Sequence, residues 1–219
     1  MWPFSTTPSW STLAQEKVSV RNSIIKEESV RCRYDDDVTY LHATASEIVK
    51  RIEKGEWTAV DVLESYIGRA VKAQEKTNCL TEILFEDARK QAKALDEEFA
   101  RTGNLKGPLH GVPISFKDCF DIVGYDTTMG FTGGINKPAK TNADILTVTK
   151  SLGAIPLAKT NLPQTMMFFE CTNPIWGRTL NPFSEHHTSG GSSGEFPHRG
   201  VVFIRLNLGG GESVLLERE

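Results

Sequence analysis

The sequence predicts an α/β fold, and three features carry the prediction. Residues 112–116, V-P-I-S-F, form a short apolar run between Gly111 and Lys117-Asp118, the pattern of a buried strand. Residues 155–158, I-P-L-A, repeat that pattern. Between them Ile145, Leu146, Val148 and Leu152 recur at helical spacing, with Thr141 or Asn142 as the cap and Gly153 as the stop. Strand, crossover helix and strand make a parallel pair.

The remaining elements follow in chain order. Residues 1–40 are polar and aperiodic, so residues 1–36 are expected to form a flexible or loosely docked N-terminal arm. Asp35-Asp36-Asp37 reads as a solvated loop, since no further ligand spacing accompanies it. Thr44 and Glu47 make a capping box ahead of the stripe Ile48, Val49, Ile52, and Gly55 ends that helix. Thr58 and Asp61 give a weaker start to a helix bearing Val62, Tyr66, Ile67, Ala70 and Val71. A third helix is expected over about residues 86–100, with Ala88, Ala92, Leu95 and Phe99 on one face and Gly103 behind it. These stripes read as core-facing surfaces. Residues 161–194 are rich in prolines and small polar residues, a loop region of the kind on which a sheet displays catalytic groups.

Composition excludes several function classes. The 219 residues are 39% hydrophobic and 24% charged, ordinary for a globular protein. A net charge of −3 with interspersed signs offers no basic face for nucleic acid. No apolar run approaches the roughly 18 residues of a spanning helix. The start, M-W-P-F-S-T-T-P-S-W, lacks a basic segment leading into an apolar one, so no secretory signal is expected. Cys32, Cys79, Cys119 and Cys171 are widely spaced and read as reduced thiols. A cytoplasmic protein is the expectation.

Two motifs carry chemistry. P-I-S-F-K-D at residues 113–118 places Lys117 directly after an apolar strand, where its amine can project into a poorly solvated region. T-S-G-G-S-S-G-E at residues 188–195 sets two serines among glycines. A lone lysine after a strand is usually surface decoration. A Gly/Ser run alone is a linker, or a phosphate-cradling loop, although the lysine of a P-loop is missing. Together they point to a serine activated by a lysine. A serine hydroxyl attacks usefully only if a base takes its proton. Lysine is such a base when burial or neighbouring cations lower its pKa from about 10.4.

The two motifs resemble the amidase signature family of serine hydrolases, which uses a Lys–cis-Ser–Ser set. The resemblance extends to G-P-L-H-G-V-P-I-S-F-K-D, Y-D-T-T at 125–128, G-A-I-P-L-A-K-T-N-L-P-Q-T-M-M and G-R-T-L-N-P. It also includes E-I-V-K-R-I-E-K-G-E-W-T-A-V near the N-terminus. These stretches look most like fungal acetamidase-type enzymes and, more distantly, fatty-acid amide hydrolases, and cover residues 37–194. The resemblance implies the N-terminal part of an α/β/α fold with a central mixed sheet, and hydrolysis of a small-molecule amide to acid and ammonia or amine. It implies Lys117 as base and Ser192, after a cis peptide, as the bridging serine that also lies against substrate. Gly190, Gly191, Ser193 and Gly194 would form the supporting loop, glycines permitting unusual dihedrals and close approach. Met166 falls where related enzymes contact the acyl chain, or is an ordinary packed methionine. No cofactor and no metal is implied. His186 and His187 flank the serine loop, but the family chemistry uses no histidine.

After Gly194 the pattern stops. The family continues Gly-Gly-Glu-Gly-Ala and reaches its nucleophile in a G-T-D-I-G-G-S segment, whereas residues 195–219 read E-F-P-H-R-G-V-V-F-I-R-L-N-L-G-G-G-E-S-V-L-L-E-R-E. Ser213, in G-E-S-V, lacks the paired glycines of an oxyanion hole. Gly194-Glu195-Phe196 can be encoded GGT-GAG-TTT, which contains the splice-donor consensus GTGAGT, so a retained intron is expected to supply the tail. The chain reads as a truncated amidase without its nucleophile and therefore inactive. The alternatives are a non-catalytic binding or regulatory remnant and, more remotely, a nucleotide-binding module.

Overall fold

Strands β2 (Pro113–Lys117) and β3 (Ile155–Thr160) run parallel, with Pro113 opposite Ile155 and Lys117 opposite Thr160. The computed structural model describes residues 8–32, 39–184, 186–187 and 189–192. The crossover between the two strands carries helix α5 (Asp144–Ser151), as the spacing predicts. Its cap differs: Ala143 holds the N-cap without a side-chain bond, while Asn142 Oδ1 accepts from the Val123 N–H at 2.9 Å.

A third strand, β1 (Leu80–Ile83), pairs antiparallel with the other edge of β3, giving a mixed sheet of order β1–β3–β2. Nothing in L-T-E-I announces a strand buried along its whole length, since Glu82 reads as solvent-facing. The carboxylate is tolerated because Lys17 Nζ lies 2.6 Å from Glu82 Oε1. Burial still pushes the Glu82 carboxyl up, against the pull of Lys17.

The helices form where the sequence places them. Helix α2 (Ala45–Glu53) starts on a complete Thr44–Glu47 capping box, a device contributing about 1 kcal/mol. Helix α3 (Ala59–Thr77) starts on Thr58, whose hydroxyl accepts from the Asp61 N–H. Its next two donors, the Ala59 and Val60 N–H groups, bond Asp96 at 2.7 and 3.0 Å. Asp96 belongs to α4 (Phe85–Thr102), so one helix caps another with a charge that suits the positive end of the dipole. Gly103 ends α4 at φ 69°, a left-handed conformation that favours glycine. Helices α3, α4 and the sheet enclose one core around Ile48, Leu63, Ile67, Phe85, Ile114 and Leu157, all at most 1% exposed.

The expectation of a flexible arm over residues 1–36 is corrected for its middle. Trp10–Arg31 is a 22-residue helix, α1, capped by Ser9 and docked on β1 and α3. Its inward side buries Ala14, Arg21, Ile25 and Glu28. These recur at helical spacing, but half are charged, so no apolar stripe shows in the sequence. Arg89 makes the burial possible. Its guanidinium donates to both Glu28 oxygens at 2.7 Å and to Glu64 at 2.6 and 2.9 Å. Asp35-Asp36-Asp37 and residues 195–219 lie outside the described residues. Among the described residues no helix is long and apolar enough to cross a membrane.

Candidate active site

Lys117 is the last residue of β2, and the parallel ladder fixes its backbone against Thr160. One residue on, the Asp118 N–H bonds the Thr160 carbonyl at 3.0 Å, extending the grip of β3 past the strand end. The Lys117 side chain is half-buried and its Nζ donates to Ser192 Oγ at 2.8 Å. The lysine and serine picked out by sequence, 75 positions apart, are therefore in direct contact.

The serine loop reaches this position through its glycines. Gly190 adopts φ 85°, and the Gly191–Ser192 peptide is cis. Gly191 packs against the backbone of Phe168 and Phe169 so closely that a Cβ there would overlap the Phe168 carbonyl oxygen. Ser189, ahead of the glycines, is 2% exposed. Ser193 and Gly194 lie outside the described residues, and His186 and His187 are exposed.

Met166 ends a short turn, Gln164–Met166, in which Thr165 and Met166 take φ 65° and 57°. Consecutive non-glycine residues in the left-handed region are uncommon, and surrounding structure has to hold them. Gln164 helps, its Nε2 donating to the Gly130 carbonyl at 2.9 Å. Met166 is half-buried, whereas Met167, Phe168 and Phe169 are exposed by 88%, 56% and 89%. It is the Phe168–Phe169 backbone, after Met166, that touches the serine loop.

Beneath Lys117 lies a buried ion pair that sequence reading does not assign. Asp118 and Lys159 are both fully buried, with Lys159 Nζ 3.0 Å from Asp118 Oδ1. Lys159 also donates to the Asp126 carbonyl at 2.6 Å and to Thr127 Oγ1 at 3.0 Å. The second Asp118 oxygen accepts from the Thr128 hydroxyl at 2.6 Å and the Met129 N–H at 3.1 Å. Burial pushes the Asp118 carboxyl up, while Lys159, Thr128 and Met129 pull against it. Removing one partner of such a pair costs about 3–5 kcal/mol, because an unpaired charge stays buried. A lysine inside the apolar run I-P-L-A-K-T, two strand positions from the aspartate of K-D in the parallel partner, was the available signal.

An asparagine network holds the next loops. Asn161 donates to the Gly177 carbonyl and Thr179, and Asn173 donates to Asn161 and the Leu162 carbonyl. Asn78 closes it from the end of α3, donating to the Trp176 and Arg178 carbonyls at 2.7 and 3.1 Å. These bonds satisfy backbone groups that the irregular 161–180 segment would otherwise bury unpaired.

A family model described as Amidase matches residues 61–194. Amidase 1 of Gibberella moniliformis is 40% identical over 190 residues, which are 85% of this chain and 36% of that protein. The acetamidase of Emericella nidulans is 41% identical over 179 residues, 80% of this chain and 33% of the relative. Among solved structures, a fatty acid amide hydrolase superposes with a TM-score of 0.71 at 28% identity, covering 89% of this chain and 33% of that one. The chain spans about a third of the length of the curated relatives it matches.

Proposed function

The chain belongs to the amidase family, and on that premise we propose that it carries two members of a Lys–cis-Ser–Ser set for hydrolysing carboxylic amides. The observation that carries the reading is the 2.8 Å contact of Lys117 Nζ with Ser192 Oγ. Neutral Lys117 takes the Ser192 proton as Ser192 takes that of a nucleophilic serine, whose oxygen attacks the amide carbonyl. The protons return by the same path to the departing nitrogen, releasing ammonia or an amine. Water then repeats the sequence on the acyl-serine and yields the acid. Ser192 stands beside the carbonyl throughout, and Met166 lies against the acyl side of the substrate. The Gly190, Gly191, Ser193, Gly194 loop supports it.

Residues 37–194 constitute the amidase part, and residues 195–219 are unrelated to it. Beyond Gly194 the given residues hold one serine, Ser213, which has Glu212 and not paired glycines directly before it, and on this reading it does not replace the family's nucleophile.

The test uses a full-length form in which residues 1–194 run on into the remaining two thirds of a fungal relative. Lys117→Ala should lower kcat by at least about 10³-fold with the fold retained, as removal of a catalytic base does. Near-normal turnover by that variant at neutral pH sinks the assignment. Sequencing the transcript across codon 194 tests the tail: a spliced message restoring G-E-G-A identifies residues 195–219 as intron-derived.

A further inference from the structure

Helix α1 lies outside the residues matched by the family model, and the proposed chemistry makes no use of it. Two side chains on its docked side, Lys17 and Arg21, stand one turn apart and reach the ground beneath Lys117 by separate routes. Lys17 Nζ lies 2.8 Å from Asp126 Oδ2, as well as pairing Glu82. The Asp126 carbonyl accepts from Lys159 Nζ at 2.6 Å, and Lys159 faces Asp118 Oδ1 at 3.0 Å. On the second route the buried Arg21 guanidinium sits over the Trp176 ring, 5.4 Å from its centroid, and donates to the Leu80 carbonyl at 2.8 Å. Trp176 Nε1 donates to Thr128 Oγ1 at 3.2 Å, and Thr128 donates to Asp118 Oδ2 at 2.6 Å. The two routes end on the two oxygens of one carboxylate, and that carboxylate belongs to the residue after Lys117.

We propose that α1 is a positioning element of this site, with Lys17 and Arg21 fixing Lys117 through the Asp118 carboxylate. The inference rests on the reading of Lys117 as base. A helix serving only as a cover would be expected to dock an apolar stripe. Beside Ala14 and Ile25 this one also buries Arg21 and Glu28 and sets Lys17 between two buried carboxylates, which costs more desolvation than leucines would. Those charges are placed to hold Asp126 and Trp176, the two residues from which the Asp118 contacts hang. Because Asp118 is gripped on both oxygens and at its N–H, the direction in which Lys117 leaves β2 is set on three sides. Small errors in that direction matter, since a displacement of about 1 Å at a reacting group can cost about 10²-fold in rate.

The experiment is a double-mutant cycle in the same full-length form, read as kcat and KM separately. Lys17→Met should lower kcat about tenfold while KM stays within about twofold. Asp118→Asn should lower kcat further. The double variant Lys17→Met/Asp118→Asn should be no slower than Asp118→Asn alone, because residues acting through a common partner are not additive. Should Lys17→Met fail to fold, Arg21→Lys keeps the charge but loses the planar stack on Trp176, and a drop in kcat at constant KM is again expected. An unchanged kcat in either folded variant, or losses that multiply in the double variant, overturns the proposal. Lys117→Ala separates the two readings. If it stays active the base assignment fails, whereas if it is dead and Lys17→Met is unimpaired only the role of α1 fails.

Discussion

Lys117 Nζ and Ser192 Oγ stand 2.8 Å apart, the lysine at the end of a strand and the serine after a cis peptide in a glycine loop. Neither partner is held by the other alone. Parallel pairing with β3 places the lysine, and close contact of Gly191 with the Phe168–Phe169 backbone places the serine. If Ser192 is the bridging residue, Ser192→Ala in the full-length form should reduce kcat by about 10²-fold or more. Ser193→Ala should do less. Steady-state kinetics on a simple amide gives the ranking, and the reverse order places the bridge one residue later.

The two loop glycines should respond differently to alanine. Around Gly190 there is open space, so Gly190→Ala costs only the left-handed backbone, about 1–2 kcal/mol. At Gly191 the added Cβ meets backbone atoms that cannot rotate away. Gly191→Ala should displace the loop, break the lysine–serine contact and lower kcat more than Gly190→Ala does. Equal kinetic losses at both positions would show that the close approach does not position Ser192.

Arg89 joins α1, α3 and α4 through Glu28 and Glu64, with Glu28 only 5% exposed. Arg89→Met leaves the Glu28 carboxylate buried with only the exposed Arg31, 3.6 Å away, as counter-charge. A loss of about 2–3 kcal/mol is expected, at the low side of a buried pair because Glu64 remains half in solvent. Arg89→Lys should recover only part of it, since an ammonium lacks the planar fork that engages two carboxylates. Thermal unfolding of the three proteins measures this.

His110 makes stability depend on pH. Its Nδ1 accepts from the Lys106 N–H at 2.9 Å, so the imidazole is neutral, and burial against Phe99 and Gly153 holds it below its usual 6.5. Asp96 and Glu98 oppose that shift and Lys106 reinforces it. A histidine with a lowered folded value favours the neutral form. Its contribution is therefore complete above about pH 6.5 and is lost as pH falls through the folded value. The Tm should drop between about pH 7 and about pH 5.5. In His110→Asn, whose amide oxygen can accept from the Lys106 N–H, that drop should be smaller. An unchanged pH slope rejects His110 as its source.

The 219 residues expressed as they stand should show no acetamide turnover and no labelling by a fluorophosphonate, which needs an activated serine. They should also self-associate, because Met167, Phe168, Phe169 and Phe183 expose large apolar side chains. Probe labelling at Ser192 or Ser213 contradicts the first statement, and a cooperatively unfolding monomer contradicts the second.

By itself the sequence determined most of the local elements and the identity of the lysine and serine that meet. Thr44–Glu47, Gly55 and Gly103 bound their helices because caps and left-handed stops act within one turn. The runs at 112–116 and 155–158 became strands because unbroken apolar stretches flanked by glycine need burial on both faces. Lys117 and Ser192 were legible because their motifs are contiguous. Tertiary structure alone decided what depends on charges meeting in the interior. Helix α1 has no apolar stripe, since Lys17, Arg21 and Glu28 occupy its docked side, and their partners Glu82, Asp126, Trp176 and Arg89 lie far along the chain. Strand β1 was hidden for the same reason, Glu82 being buried only because Lys17 reaches it. A charged residue reads as exposed until its counter-charge is located. That location is set by packing between elements, which no periodicity within a single element records.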